Sequence, residues 1–429
     1  MNNNILLDTR EKDGVSGVLK WILLFVAIFC FAVIGWGTYI TYQQAPPLPE
    51  NFLSPTGQVV MSRADIIAGK AGFQQADLMD FGSLYGMGSY FGEDYTAQYL
   101  VKLGQLTEKF LSQQQFGQPF SQLNKGNQYI IQQSVKKILK TLPLDQLVLN
   151  LSPSLTNAIE QLQANITQSL LMNNFAAGWT KAYSLNVSSA KQVADFLIYS
   201  SLTTVANRPG KNFSYTNNWP YEPSVGNTPT TETFIWTWAS FCLVFFGFGA
   251  VLFIYHYFLN EEDTALKTHL FNEFKKLLPS QIKTGQYFIV VALILLLQTA
   301  TGAILAHYYS DRASFYGINI APFLPFNFLR DVHIQTPIVW IGLSWISSAL
   351  FLTPLISGKE AKGQSQLVTL LFWITLFIVA GALLGDYLGI MGIITKHWFW
   401  IGNQGLSYIQ LGRLWQIGFA AGLILWSVM

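Results

Sequence analysis

The stretch LLFVAIFCFAVIGWGTYI, residues 23–40, holds eighteen residues without a charge and decides what kind of protein this is. A bilayer's hydrocarbon core of about 30 Å needs about 20 apolar residues in a helix, and the run extends over 19–42 with only Lys20 near its start. Four more stretches have the same length and character: 234–258, 287–308, 334–356 and 367–388. Backbone N–H and C=O groups in lipid must be satisfied within the segment, so each reads as a helix. A sixth, 411–429, turns apolar near Leu414; about 16 residues at roughly 1.5 Å each reach only about 24 Å. No polar tail, glycine cap or basic anchor follows it, so the sequence reads as the N-terminal part of something longer. The expected fold is mainly α, a polytopic membrane bundle of about six helices with the last one truncated.

Composition agrees with lipid-facing helices that carry aromatic belts, since 13 Trp accompany 19 Tyr and 32 Phe while only 11% of residues are charged. A formal charge of +2 with no basic run gives nucleic acid nothing to bind. Both cysteines, Cys30 and Cys242, fall inside spanning stretches, and no CxxCH occurs, which excludes covalent haem attachment. The first stretch is too long for a signal-peptide core and no A-x-A-like cleavage site follows it, so it is a retained helix.

Residues 43–230 have ordinary polar composition and are numerous enough for a water-soluble domain with its own core. The domain opens on the stiff linker Ala45-Pro46-Pro47-Leu48-Pro49. Helical periodicity marks 94–111, 126–142, 153–171 and 189–206, the last with Ser188 or Ser189 as its cap. A Pro-, Asn- and Thr-rich stretch, 207–231, reads as a loop returning to the membrane. The organisation is therefore an N-terminal segment 1–18, an anchor helix 19–42, the domain 43–230 and a membrane region 231–429. With the N-terminus inside, Arg10, Lys12, Lys20, Lys267, Lys275, Lys276, Lys283, Lys359 and Lys362 lie inside against Arg312, Arg330, Lys396 and Arg413 outside. The positive-inside rule thus puts the large domain outside.

Topology also sorts the five histidines: His256 and His269 to the inner side, His307, His333 and His397 to the outer. An ionisable or ligating group where a helix meets the membrane is a functional candidate, and imidazole is a usual axial ligand of membrane haems. His333, in RDVHIQ (330–335), stands at the start of the fourth helix, where it is either a hydrogen-bonded packing residue or a ligand. His307 before Tyr308 and Tyr309, and His397 in KHWFW (396–400), read equally as aromatic-belt residues. His256 and His269 read as ordinary interface and loop residues. Gly82, Gly86, Gly88 and Gly92 lie close together without the strand-to-helix context of a phosphate cradle, and their aromatic neighbours indicate a tightly packed, turn-rich loop.

Four segments resemble one family, the quinol-dependent nitric oxide reductases of the haem–copper oxidase superfamily. They are MDFGSLYG (79–86) continuing through YFGEDYTA (90–97); TETFIWTW (231–238); LTPLISGKE (352–360) with Lys362-Gly363-Gln364; and WFWIGNQG (398–405) with Leu411-Gly412-Arg413 and Trp415-Gln416. The resemblance implies that 43–230 is a cytochrome c-like domain without haem, and that electrons come from a membrane quinol. It also implies a multi-pass protein of the bacterial cytoplasmic membrane. His333 matches the family's first axial ligand of the low-spin haem b; none of the remaining histidines stands in the matching context, and His307 is kept as a further haem-binding candidate only for its place at the outer helix end. By the same resemblance, the other axial histidine, the high-spin haem ligand and the non-haem iron ligands belong to later helices. The centre where NO becomes N₂O is then expected from a missing C-terminal half or a complementing chain, and this sequence alone is expected to be inactive.

Departures from the family pattern are local: Leu406-Ser407 before Tyr408, Gln410 in place of an acid, Met87 where a histidine is common, and Asp331-Val332 before His333. The glutamate missing at Leu406-Ser407 puts a structural cation near the haem in doubt, Met87 and Asp331-Val332 point to a change at the quinol site or in electron entry, and an NO-dismutase-like or decayed relative is left as an alternative. Receptors with an outer domain between two helices share the early layout, but the further helices and missing signalling domain disfavour them. A transporter is disfavoured because the spans are read as lacking internal charges and show no inverted repeat.

Overall fold

A computed structural model describes residues 17–76, 78–80, 82–88, 92–172, 185–258, 277–308, 310, 315–357, 359–394, 397–402 and 410–429. Of the sequence expectations, those on residues 1–16, Phe81, Tyr90, Phe91, Lys267, His269, Lys275, Lys276, Arg312, Lys396 and 403–409 lie outside the described residues.

The chain begins with α1 (Gly17–Gln44), a candidate span that leads into the extended proline linker. The domain between the first two spans, called the outer domain after its expected side, then builds a small sheet from β1 (Asn51–Leu53), β2 (Val59–Ser62) and β5 (Val148–Asn150). Strand β1 sits in the middle, antiparallel to β2 with Phe52 opposite Met61, and parallel to β5 with Phe52 opposite Leu149. Around it pack α2 (Arg63–Gln75), α3 (Tyr95–Phe116), α4 (Lys125–Lys140), α5 (Pro153–Leu171) and α6 (Val187–Thr203).

Each of these helices starts where a side chain answers an orphan backbone N–H: Ser62, Asp94, Asn124, Ser152 and Asn186 accept from Asp65, Ala97, Asn127, Leu155 and Ser189 respectively. The cap of α6 is thus Asn186, not Ser188 or Ser189. Ser189 instead returns a bond, its Oγ accepting from the Asn186 N–H, and completes a capping box.

Helix α2 escapes the periodicity reading because Gly69 and Gly72 interrupt it. Those glycines are where α2 lies against α6, since a Cβ on Gly69 would fall 1.8 Å from the Gln192 carbonyl oxygen. Between α2 and α3, the turn-rich loop expected around Gly82–Gly92 is a two-residue hairpin joining β3 (Ser83–Leu84) and β4 (Met87–Gly88). Tyr85 and Gly86 both take positive φ, +55° and +75°, as the twist of such a hairpin requires.

The membrane region comprises α7 (Thr231–Phe258), α8 (Pro279–Tyr308), α9 (Phe326–Ser357), α10 (Gln364–Ile390), the single turn α11 (Trp398–Ile401) and α12 (Arg413–Val428). Five of the described helices (α1 and α7–α10) are long and apolar enough to cross a bilayer, and α12 is a shorter apolar helix. In α1 and α7 nothing within the apolar window is buried, whereas α8, α9 and α10 bury part of theirs against one another. The core of the outer domain continues without a break into Leu305, Tyr308, Phe326 and Leu329, so it is seated on the ends of α8 and α9.

One boundary moves in a way that bears on the site. Helix α9 begins at Phe326, eight residues before the apolar run, so His333 lies two turns inside the helix and not at its start. The polar residues that break the hydropathy signal, Arg330 and Asp331, turn toward the outer domain; Arg330 Nη1 lies 3.8 Å from Met79 Sδ, and Asp331 is buried beside Lys70.

Candidate functional site

Helices α8 and α9 pack antiparallel, and two residues of α8 fix the imidazole of His333. Its Nδ1 lies 2.9 Å from the backbone oxygen of Gln298. A carbonyl can only accept, so Nδ1 carries the proton and a neutral ring keeps its lone pair on Nε2. That second nitrogen has no hydrogen-bond partner among the described residues. One turn along, Gly302 leaves room for the ring: a Cβ there would sit 2.6 Å from Cε1 and 3.0 Å from Nδ1. The Gln298 side chain clamps the same helix a second time, its Oε1 accepting from Trp340 Nε1 at 2.7 Å. Pro337, four residues after His333, has no N–H to give the His333 carbonyl, so the helix's own ladder is interrupted at this residue.

Beside the histidine runs a buried polar seam that sequence reading did not find. Asn327, Asp331 and Gln335 follow at four-residue spacing and so share one face of α9, and all three are buried. Against them stand Lys70 and Gln74 of α2 and Asp386 of α10, also buried. Asn327 Nδ2 donates to the Gln74 carbonyl. The Lys70 ammonium is flanked by Asp331 and Asp386; burial pulls it down to about 7, and the two carboxylates only partly oppose that. The Gln335 amide faces Asp386, yet no pair of atoms between them reaches hydrogen-bonding geometry. One cation from the outer domain thus meets acids from two membrane helices, two residues from the imidazole. The signal available in sequence was Asp386 itself, an ionisable residue inside an apolar span.

The other histidines are placed differently. His307 Nε2 accepts the Tyr316 N–H at 3.2 Å, with the Tyr316 ring stacked at 4.6 Å and Phe315 edge-on at 4.9 Å. His256 and His397 are exposed. Among the described residues no group of three or more His, Cys, Asp or Glu converges as a metal site would require. Cys30 and Cys242 are exposed free thiols in α1 and α7.

The glycine-rich motif is organised by Asp94, whose carboxylate accepts from Ser83 Oγ and the Gly86 N–H, both at 2.7 Å, and caps α3 through Ala97. Tyr85 reaches across to α6, its hydroxyl 2.7 Å from Thr203 Oγ1 and 3.1 Å from the Ser200 carbonyl. Met87, where the resembled family often has a histidine, is exposed on β4.

Comparison with known families gives two matches in chain order. Residues 49–221 match the cytochrome c-like domain of NorB, the nitric oxide reductase family. Residues 283–429 match cytochrome c and quinol oxidase polypeptide I. No curated protein matches the chain. Together the two matches support an oxidoreductase of the haem–copper oxidase type. Within that class the two matches support a NorB-like protein. The family implies haem, and His333 has the chemistry an axial ligand needs: one nitrogen pinned by a carbonyl, the other with its lone pair unspent.

Proposed function

We propose that this chain accepts electrons from a membrane quinol and serves the reduction of NO to N₂O, with His333 as an axial ligand of low-spin haem b. The observation that carries the reading is the Nδ1–Gln298 carbonyl bond, which orients the ring and leaves Nε2 for iron. Haem b, when bound, supplies one-electron transfer. The protein's part is to fix that imidazole, with Gly302 beneath it and Trp340 locked by Gln298, so that little reorganisation accompanies a change of charge. The Lys70, Asp331 and Asp386 cluster sets the local field two residues away.

His307 is spent on Tyr316, so the second axial ligand, the high-spin haem ligand and the non-haem iron ligands are proposed to come from outside this sequence, in a continuation or a second chain. In this reading the N-terminus lies in the cytoplasm and the outer domain faces outward across a bacterial inner membrane. The test uses the purified chain carrying its haem, kept anaerobic and mixed with a reduced quinol. Reduction of the haem by quinol, then N₂O in the headspace once NO and the complementing ligands are supplied, supports the proposal. A haem that dithionite reduces and quinol does not would remove the quinol step, and a chain that never takes up haem would remove the whole reading.

A further inference from the structure

A cleft of about 890 Å³ opens where α1 leaves the apolar layer, between the last residues of that helix, the proline linker and the outer domain. Its walls are largely aromatic and aliphatic, with Tyr199, Tyr215 and Trp219 facing Ile40 of α1. Two cations line it, Lys70 and Arg208. Lys70 is answered by Asp331 and Asp386. Among the described residues no acid answers Arg208: burial lowers its affinity for the proton, and the one group opposing this is Tyr215.

The Arg208 side chain donates from Nε to the Ser214 carbonyl at 3.3 Å, from Nη2 to the Tyr215 carbonyl at 3.0 Å, and from Nη1 to Gln44 Oε1. All three acceptors are neutral. A guanidinium has five N–H donors, so two remain, one on each terminal nitrogen. One N–H left on each terminal nitrogen is the donor count that a two-bonded phosphate fork requires. The Tyr215 ring lies 5.1 Å from the guanidinium carbon and holds its plane.

The level of this fork follows from Gln44. It is the final residue of the candidate span Lys20–Gln44, so Arg208 stands where hydrocarbon gives way to headgroups. A second guanidinium, Arg413 at the start of α12, lies 5.8 Å from the Tyr42 ring on the same end of α1. Just below, Trp36, Tyr39 and Ile40 are exposed, a surface suited to acyl chains.

We propose that the cleft is a binding site for an anionic phospholipid, its phosphate held by Arg208, its headgroup against Tyr215 and Trp219, and its chains along α1. Such a lipid ties the lone first helix, which buries nothing in its apolar window, to the outer domain. A free phosphate has no use for the apolar walls, and a zwitterionic lipid cancels the charge on the fork.

The full chain, in nanodiscs of phosphatidylcholine with a minor fraction of phosphatidylglycerol, is released into native mass spectrometry and the retained lipid is counted. The expected result is selective retention of phosphatidylglycerol, reduced on the order of tenfold or more in Arg208→Gln, because bonds to a charged group are lost. Lys211→Gln, an exposed cation in the same loop, should leave retention unchanged. Arg208→Lys keeps the charge without the fork and should fall between, which keeps the test readable if the glutamine variant misfolds. Equal retention of phosphatidylcholine, full retention by Arg208→Gln, displacement by millimolar inorganic phosphate, or a quinone found in the cleft would each overturn the proposal.

Discussion

Replacing Gly302 by alanine should unseat His333. The added Cβ would lie 2.6 Å from Cε1 and 3.0 Å from Nδ1, whereas carbon contacts are comfortable near about 3.5–4.0 Å, so the ring must retreat by about 1 Å. That retreat stretches the 2.9 Å bond to the Gln298 carbonyl beyond hydrogen-bonding range. Losing the bond costs about 1 kcal/mol, and crowding a packed interface adds about 1–3 kcal/mol. The better helix propensity of alanine returns about 1 kcal/mol, so the net loss should be about 1–3 kcal/mol. Thermal unfolding in a fixed detergent measures the stability term, and the visible spectrum of the haem-loaded chain measures the ring. Gln298→Ala is the matched control: it removes the bond to Trp340 but keeps the backbone carbonyl, so it should lower stability and leave the spectrum alone. If Gly302→Ala changes neither quantity, the ring does not rest where the geometry puts it.

Three further outcomes follow from buried groups and close approaches. Asp195 is buried between Gln163 Nε2 at 2.5 Å and Lys191 Nζ at 3.4 Å, and burial raises its carboxyl from 3.8 to about 6. The folded state therefore holds this proton over about pH 4–6 while the unfolded state has released it, so stability should fall by about 3 kcal/mol as pH rises through that window. Asp195→Asn should flatten that fall in a pH series of melting temperatures. Gly69→Ala places a Cβ 1.8 Å from the Gln192 carbonyl, backbone that cannot step aside, and should cost more than about 3 kcal/mol. Gly126→Ala, whose nearest neighbour is 3.4 Å away, should stay within about 0.5 kcal/mol in the same melts. Lys70→Met leaves two buried acids without their cation, at a cost of about 3–5 kcal/mol, and Asp386→Asn in that background should recover part of it in chemical denaturation.

Much of this architecture was legible because apolar length is a strong, local signal. The candidate spans appear where the sequence places them, and the helix at Pro153–Leu171 coincides to the residue because Ser152 and Pro153 announce its start. What failed were elements defined by contact. Helix α2 carries two glycines whose purpose is the close approach of α6, so its propensity reads as a loop until that partner is present. The first two turns of α9 contain Arg330 and Asp331, which hydropathy scores as outside the membrane although Asp331 is buried under the outer domain.

The site divides along the same line. His333 was visible as an imidazole at a membrane boundary, and the resemblance singled it out. Its orientation depends on a backbone carbonyl and a glycine some thirty residues earlier, which no motif could reveal. In sequence, Asp331 read as a departure from the family pattern that pointed to a change at the quinol site or in electron entry. In three dimensions its charge is met by Lys70, a residue about 260 positions away in another domain.

The most direct measurement replaces His333 by glycine in the full chain loaded with haem b, with the second axial ligand supplied by the complementing chain, and records low-temperature electron paramagnetic resonance and optical spectra with and without added imidazole. If Nε2 of this residue binds the iron, the low-spin signature disappears in the variant and returns when free imidazole fills the vacated space. A low-spin spectrum that survives the substitution unchanged would contradict the assignment of His333 and with it the proposed path for electrons.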